Sequence, residues 1–217
     1  MSDSSLAPLI ARALVDPGPE LTTMDQRILD ATLELYAAYG NRFSMDDVAR
    51  RANVGRRTAF RRFGSKDGVV SALFVREAGS VLQMMRHAAA AAPDPASGAV
   101  EIFVNVVRRA ATHPAMARMV RHESQKFIEY LRSGEPPLLD TVSAFVAEQI
   151  RSAQRKAGAL DPDPERAADI LIRLTLGFLL VPSRVVDGGD GQALRALAKT
   201  VIDPLFAPPV GDEAVSE

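Results

Sequence analysis

The stretch that decides the fold is residues 44–66, SMDDVARRANVGRRTAFRRFGSK. Ser44 has the side chain of a helix N-cap, and Asp47 stands at the third position, so a short helix is predicted to start after Ser44. Residues 53–55, Asn-Val-Gly, form a turn, and a second short helix is predicted over 56–63. Two short helices joined by a three-residue turn are typical of a helix-turn-helix.

The helix over 56–63 has two opposite faces on a helical wheel. Ala59 and Phe63 fall on one side, where they continue the inward packing, and Arg57 and Arg61 fall on the other. Arginine binds guanine O6 and N7 with two hydrogen bonds and also binds phosphate, so the outer face suits the major groove of DNA. The side chains predicted to flank that outer face are Arg56, Thr58, Phe60 and Arg62.

Charge is distributed unevenly along the chain. The net charge of −1 gives no indication of nucleic acid, but eight basic residues lie between positions 42 and 66 against only Asp46 and Asp47. Cations in the first turn of a helix oppose the helix dipole, whereas the free backbone N–H groups there attract phosphate. The cluster is therefore either a solvated basic surface or a DNA-binding one, and the surrounding turn and caps favour DNA. Its members are Arg42, Arg50, Arg51, Arg56, Arg57, Arg61, Arg62 and Lys66.

The remainder of the chain has apolar residues at helical spacing and no strand-like alternation, which predicts an all-α fold. A first helix is predicted over 24–39, with Thr23 as its N-cap and Gln26 three residues later. Its inward stripe is Ile28, Ala31, Leu35 and Tyr39. Further helices, bounded by Pro, Gly or Asp, are predicted over 66–92, 96–112, 114–131, 137–157, 164–185 and 191–206.

Composition excludes several classes of protein. The chain has no cysteine and only three histidines, so we expect neither a metal site nor a cofactor. It lacks a nucleophile elbow and a glycine-rich phosphate loop, and residues 188–191 lie in a helix connection, so we expect no enzyme. No apolar run is long enough to span a bilayer, and no signal peptide is apparent, so we expect a soluble cytoplasmic protein that does not bind membranes.

From residue 24 to about 75 the sequence resembles the tetracycline-repressor (TetR) family. Shared features are the cap, the Val-Ala pair, the turn, Thr58, the aromatic positions of the following helix and Ser65-Lys66. The resemblance implies phosphate contacts from Ser44 and Lys66 and a groove contact from Thr58. It also shows departures: Arg57 stands where the family usually has Gly, and Phe60 where it usually has Tyr. We therefore expect phosphate contacts to shift from tyrosine to arginine.

The resemblance also implies a domain organisation. A three-helix helix-turn-helix DNA-binding domain is expected over 22–68, and a C-terminal helical bundle for effector binding and dimerisation over 69–207. Residues 1–21 are expected to form a disordered arm and residues 208–217 a disordered tail. Such proteins bind near-palindromic double-stranded operator DNA as homodimers and usually repress transcription until a small-molecule effector releases them.

Two further surfaces are predicted in the C-terminal bundle. The resemblance implies a dimer interface on the last two helices, which are rich in apolar residues on more than one side, with Ala167, Ala168 and Gly177 allowing close approach; the same residues could form an ordinary core. Its core is predicted to be Leu171, Leu174, Phe178, Leu194, Leu197 and Val201. The middle helices carry side chains that either pack as core or line a pocket for an apolar or amphipathic effector. They are Phe103, Val107, Met116, Met119, Val120, Phe127 and Phe145.

Two alternative functions stay open at this point. A DNA-binding architectural protein would share the helix-turn-helix but would show weak sequence preference and no response to ligand. A protein-interaction module would use the helical face and would not bind DNA.

Overall fold

A computed structural model describes residues 21–133, 135–158 and 162–207. Within these ranges the chain is helical without any strand, which confirms the all-α prediction. Except for Leu21, the predicted arm lies outside the described residues, as does the predicted tail. The helices are α1 Thr23–Tyr39, α2 Met45–Arg51, α3 Arg56–Phe63, α4 Lys66–Ala91, α5 Pro95–Thr112, α6 Pro114–His122, α7 Ser124–Arg132, α8 Leu138–Ala157, α9 Pro164–Leu180 and α10 Gly191–Ile202, followed by a 3-10 helix, Asp203–Phe206.

Helices α1, α2, α3 and the start of α4 share a first hydrophobic core. Its most deeply buried members are fully shielded from solvent, because four short apolar faces converge on one point: Ile28, Leu29, Val48, Ala59, Val69 and Leu73. Gly68 allows α4 to approach the end of α3, since a Cβ there would lie 2.1 Å from the carbonyl oxygen of Phe63. The packing therefore fixes the position of α3 relative to α4.

A second hydrophobic core lies between α5, α6, α8, α9, α10 and the C-terminal part of α4. Helix α4 contributes to both cores: Leu73 is buried in the first, and Leu82 and Met85 are buried in the second. At 26 residues it is the longest helix of the described chain. Any movement of its second half is thus connected by a continuous helix to the packing of α3.

The N-cap of α1 differs by one residue from the prediction. Thr22, not Thr23, is the cap, and Asp25, not Gln26, completes the capping box. The Thr22 hydroxyl donates to Asp25 Oδ2 over 2.6 Å, and the Thr22 backbone N–H donates to the same oxygen over 3.1 Å. An ionised carboxylate accepts both hydrogen bonds better than an amide does, which favours Asp25 over Gln26 as the partner of the cap. Tyr39, predicted to face inward, is 54% exposed, and Tyr36 is buried in its place.

One predicted helix is divided, and another ends earlier than expected. The helix predicted over 114–131 is divided at Glu123, whose backbone leaves the helical region and whose carboxylate accepts a 3.1 Å hydrogen bond from the Tyr36 hydroxyl. The helix predicted over 164–185 ends at Leu180. Val181 is extended because it precedes Pro182, whose ring disfavours helical backbone in the residue before it.

No helix in the described part of the chain is both long and apolar enough to cross a membrane. The described residues also contain no group of three His, Cys, Asp or Glu side chains placed to hold a metal ion.

Candidate functional site

Helix α3 presents two arginines to solvent. Arg57 and Arg61 are exposed, and neither has a hydrogen-bond or ion-pair partner within the described residues. On the opposite side, Ala59 is fully buried and Phe63 packs against the first core. Thr58 lies half-buried between the two faces. The fixed inner face and the unpaired outer face together make a rigid, positively charged ridge.

Arg56 and Phe60, predicted to flank that face, lie against each other. The Arg56 guanidinium sits 5.3 Å from the centre of the Phe60 ring and pairs with Asp46 of α2 over 2.9 Å. Phe60 remains 36% exposed. Because both contacts are on the surface, they orient Arg56 at little energetic cost and leave it accessible to phosphate.

Arg62 has a different position from the other arginines of α3. Its Nη1 lies 3.0 Å from Asp25 Oδ2 and 3.3 Å from the Thr22 hydroxyl, at the first turn of α1. The Asp25 side chain is only 12% exposed, so this ion pair is partly shielded. Arg62 thus ties the end of α3 to the capping box of α1, which the helical wheel did not show.

Ser44 and Lys66, carried over as phosphate contacts, both have partners within the chain. The Ser44 hydroxyl donates to Asp47 Oδ2 over 2.7 Å, which completes the predicted capping box of α2 and lowers the pKa of Asp47. Lys66 Nζ donates to the Asn41 carbonyl oxygen over 2.6 Å and lies 5.5 Å from the centre of the Phe43 ring. Both groups stand at helix N-termini, where backbone N–H groups also favour anions.

The turn between α2 and α3 is held by a residue that sequence reasoning missed. Arg27 of α1 donates from Nη2 to the carbonyl oxygens of Ala52 and Asn53, over 2.8 and 3.2 Å. Asn53 has the positive φ expected of it, at 51°. The sequence around Arg27 gives no local signal for this role, because its partner Ala52 lies 25 residues away.

A cavity of about 270 Å³ lies inside the second core. Four of the seven residues predicted for a pocket line it: Phe103, Met116, Met119 and Phe127. The other three do not, so for them the prediction is wrong. Val107 and Val120 are buried in the surrounding core, at 3% and 7% exposure, and the ring of Phe145 packs under Arg86 at 5.2 Å.

Most of the cavity wall was not predicted. One face of α4 and one face of α9 line it, and Leu171, predicted for the dimer interface, is among the lining residues. The α4 residues recur at helical spacing, which is the signal that could have found them. They are Phe74, Glu77, Ala78, Val81, Leu82, Met85 and Ala89.

Glu77 is the charged residue of the cavity wall nearest to the first core along α4. It is 8% exposed and accepts from Arg76, Arg109 and His113, with distances of 2.9, 2.9 and 3.1 Å. Burial alone would raise the pKa of Glu77, but hydrogen bonds from His113 and Arg76 and their charges lower it to about 2. Arg76 also pairs with Asp30 of α1 over 2.7 Å, so one ionic network joins the cavity wall to α1.

A second connection between the cavity and α1 is aromatic. The ring of Phe74, which lines the cavity, meets the ring of Tyr36 edge-on at 5.2 Å. Burial, followed by the nearby Glu123 carboxylate, raises the pKa of the Tyr36 hydroxyl, which therefore stays protonated and donates to Glu123. A molecule in the cavity would thus contact a side chain that packs directly on α1.

Comparison with known proteins starts from the helix-turn-helix. Residues 28–73 match the bacterial regulatory proteins of the tetR family. The N-terminal domain belongs to the tetR family. The chain is also 42% identical, over 53 residues, to a protein named as the mycofactocin biosynthesis transcriptional regulator MftR of Mycobacterium tuberculosis. That match covers 24% of this chain and 27% of the relative, so the chain spans about a quarter of the length of the curated relative it matches.

Solved structures extend the likeness beyond the TetR-family domain. A bacterial regulatory protein of the tetR family from Rhodococcus RHA1 has a TM-score of 0.59 at 18% identity, with 87% of this chain and 100% of that chain covered. The transcriptional regulator FadR from Bacillus subtilis, solved in complex with stearoyl-CoA, has a TM-score of 0.59 at 16% identity, with 84% and 97% covered. At these identities the likeness establishes a shared fold of nearly the whole chain.

The predicted dimer residues of this TetR-family fold separate into two groups. Leu171 and Leu194 are 7% and 0% exposed, and Ala167 and Ala168 are buried as well, so these four side chains are covered by their own chain. Phe178 packs edge-on against Phe103 at 5.4 Å. Those that reach the surface of α9 and α10 are Leu174, Leu197 and Val201, the last 40% exposed. A helical wheel identifies an apolar face but does not say whether it packs on the same chain.

Proposed function

We propose that this chain is a sequence-specific DNA-binding transcriptional regulator, most simply a repressor, that a small apolar effector releases from a near-palindromic operator. The observation that carries the proposal is the pair Arg57 and Arg61, unpaired among the described residues, on a helix whose other face packs against the first core through Ala59 and Phe63. The five N–H donors of each guanidinium remain available for guanine or phosphate. Arg56, Lys66 and Ser44 flank this pair and add phosphate contacts.

Support for an effector comes from the cavity and its neighbours. The cavity lies inside the second core, and its wall includes α4, the helix that also packs against α3. The structurally similar FadR was solved with stearoyl-CoA, a ligand with a long aliphatic chain. We infer that an apolar molecule in this cavity shifts α4 and so changes the fit of α3 to DNA.

We also infer that the protein acts as a homodimer through α9 and α10. Leu174, Leu197 and Val201 leave an apolar stripe at the surface of these two helices. A two-fold protein places its two recognition helices about 34–36 Å apart, which matches a palindromic site. Val201→Glu is expected to convert the dimer to monomer in sedimentation velocity, whereas Val185→Glu, 92% exposed outside both helices, is expected to leave it intact.

Fluorescence-anisotropy titration tests the DNA-binding proposal. The purified protein is titrated against duplexes from the DNA flanking its own gene and against scrambled duplexes of equal length, at two salt concentrations. We expect at least one flanking duplex to bind about 10³-fold more tightly than its scrambled control. Equal, weak binding to every duplex would favour an architectural protein, and no binding even at low salt would reject the proposal.

A further inference from the structure

We propose that the cavity accepts an unbranched aliphatic chain whose polar end is uncharged. This inference rests on the proposed function, because it names the chemical class of the effector that the regulator would bind.

The walls of the cavity are long compared with its volume. On α4 the lining residues extend from Phe74 to Ala89, and on α8 from Leu138 to Ala153. At 1.5 Å per residue, each row is about 22 Å long. A space of about 270 Å³ distributed along such rows suits a single extended chain better than a fused ring system.

At the Phe74 end of the cavity, the charged lining side chain is Glu77, and its acceptor positions are occupied. Glu77 accepts four hydrogen bonds: Arg76 gives two to Oε1, and Arg109 and His113 each give one to Oε2. A carboxylate has about four acceptor positions, so the capacity of Glu77 is used. The rest of this end consists of side chains such as Phe74, Met119 and Phe127. It therefore suits the methyl end of an aliphatic chain.

The opposite end, where α4 connects to α5, carries two polar side chains. Asp94 lines it, and both of its oxygens accept from Ser97, over 2.8 and 2.7 Å. Gln149 also lines the cavity, and its amide has no hydrogen-bond partner within the described residues. An amide both donates and accepts, so it can bind a hydroxyl or a carbonyl group.

The charge of the wall disfavours an anionic head inside the cavity. Its two charged residues, among those described, are Glu77 and Asp94, and no cationic side chain lines it. A carboxylate or phosphate placed at Gln149 would find no cationic side chain in the wall, and the charged wall residue at this end is the exposed, anionic Asp94. An alcohol, ketone or ester group needs no counter-charge there.

Competition between two ligands of equal chain length tests the proposal. The full-length protein is loaded with the neutral fluorescent probe N-phenyl-1-naphthylamine, and 1-dodecanol or dodecanoate is added at pH 8. The alcohol is kept below its solubility limit and dodecanoate below its critical micelle concentration. We expect 1-dodecanol to displace the probe at a concentration at least about tenfold lower than dodecanoate does. Dodecanoate binding as well as or better than the alcohol would overturn the proposal, as would failure of both to compete.

Two matched pairs of variants locate the site. Gln149→Arg is expected to shift the preference toward dodecanoate, whereas Gln125→Arg, exposed on α7, is expected to leave it unchanged. Ala78→Trp, which fills the cavity, is expected to weaken probe binding at least about tenfold, whereas Ala90→Trp, exposed on the same helix, is expected not to. An unchanged preference in Gln149→Arg, with normal folding by circular dichroism, would overturn the assigned position of the head.

DNA titration of the same preparations separates the two proposals. Tight binding to the flanking duplex with no ligand competition would reject the aliphatic effector and retain the regulator. Ligand competition without DNA binding would reject the regulator, and with it the role of the ligand as an effector.

Discussion

The two hydrophobic cores of this protein differ in how completely they are filled. In the first core, Ile28, Leu29, Val48 and Leu73 have no solvent exposure and pack into a continuous interior. The second core is larger but encloses a cavity of about 270 Å³. A filled core resists displacement of α3, whereas a hollow one can change its shape around a ligand. Because α4 belongs to both, it can convert a change in the hollow core into a movement beside α3.

Two leucines of α4 give the largest expected contrast between the cores. Leu73→Ala in the first core should destabilise the fold by about 3–5 kcal/mol, because it leaves a new cavity in a close-packed interior. Leu82→Ala should cost less, about 1–2 kcal/mol, because Leu82 already borders empty space and loses fewer contacts. Urea denaturation of both variants measures the difference. Equal costs would contradict the view that the two cores differ in how completely they are filled.

The ion pairs of Glu77 connect the cavity wall to α1 through Arg76. Their loss should destabilise the fold almost as much as Leu73→Ala does. Glu77→Gln should cost about 3 kcal/mol at pH 7, because Arg76 and Arg109 lose a buried counter-charge. The folded pKa of about 2 lies below the ordinary value of 4.5. The stabilisation by Glu77 is therefore complete above about pH 5 and is lost as the pH falls from 4.5 toward 2.

Thermal unfolding of wild type and Glu77→Gln from pH 7 to pH 3 measures this dependence. The difference in stability should be constant down to about pH 5 and then shrink. Glu148→Gln is the matched control, since Glu148 pairs with Arg151 and Arg155 on the surface and should not affect stability measurably. If Glu77→Gln lowered the stability no more than Glu148→Gln does, the ionic network of Glu77 would not stabilise the fold.

DNA titration tests the outer face of α3, where Arg57 and Arg61 lie. Arg61→Ala should lower affinity for a specific duplex about 10- to 100-fold and lower the ratio of specific to scrambled binding, because an arginine that reads a base is lost. Lys66→Ala should weaken all duplexes similarly and reduce the salt slope by about one. Arg155→Ala, exposed on α8, is the control. A specificity ratio unchanged in Arg61→Ala would exclude this side chain from base reading.

The smallest expected effect comes from Gly79 of α4, and Gly68 of the same helix provides the contrast. Gly79→Ala should stabilise the protein by about 0.5–1 kcal/mol, because nothing lies within 4 Å of the added Cβ and alanine favours helix. Gly68→Ala should instead destabilise it and weaken DNA binding, since its Cβ would collide with Phe63 at the end of α3. Calorimetry and anisotropy measure the two effects, and a harmless Gly68→Ala would show that α3 and α4 are not tightly docked.

The features that the sequence predicted are those set by neighbouring residues. The Ser44–Asp47 capping box, the left-handed Asn53 and the bounds of α3 all depend on contacts within a few positions. The features that the sequence did not predict depend on contacts between residues far apart along the chain. The division at Glu123 accompanies a hydrogen bond from Tyr36, 87 residues earlier in the chain, and the turn is held by Arg27.

The cavity was predictable only in part for the same reason. Phe103 and Val107 lie one helical turn apart on α5 and are equally apolar, yet only Phe103 faces the empty space. Likewise, Leu171 and Leu194 look like interface residues on a helical wheel, but each is covered by its own chain. Periodicity identifies a buried face, whereas the element that buries it is set by the three-dimensional packing.

Hydroxyl-radical footprinting on the tightest flanking duplex tests most directly whether α3 reads DNA in a two-fold arrangement. We predict two protected patches related by a pseudo-palindrome, with centres about 34–36 Å apart, that both disappear with Arg61→Ala at the same protein concentration. Uniform protection along the duplex, or a footprint that Arg61→Ala leaves unchanged, would contradict it.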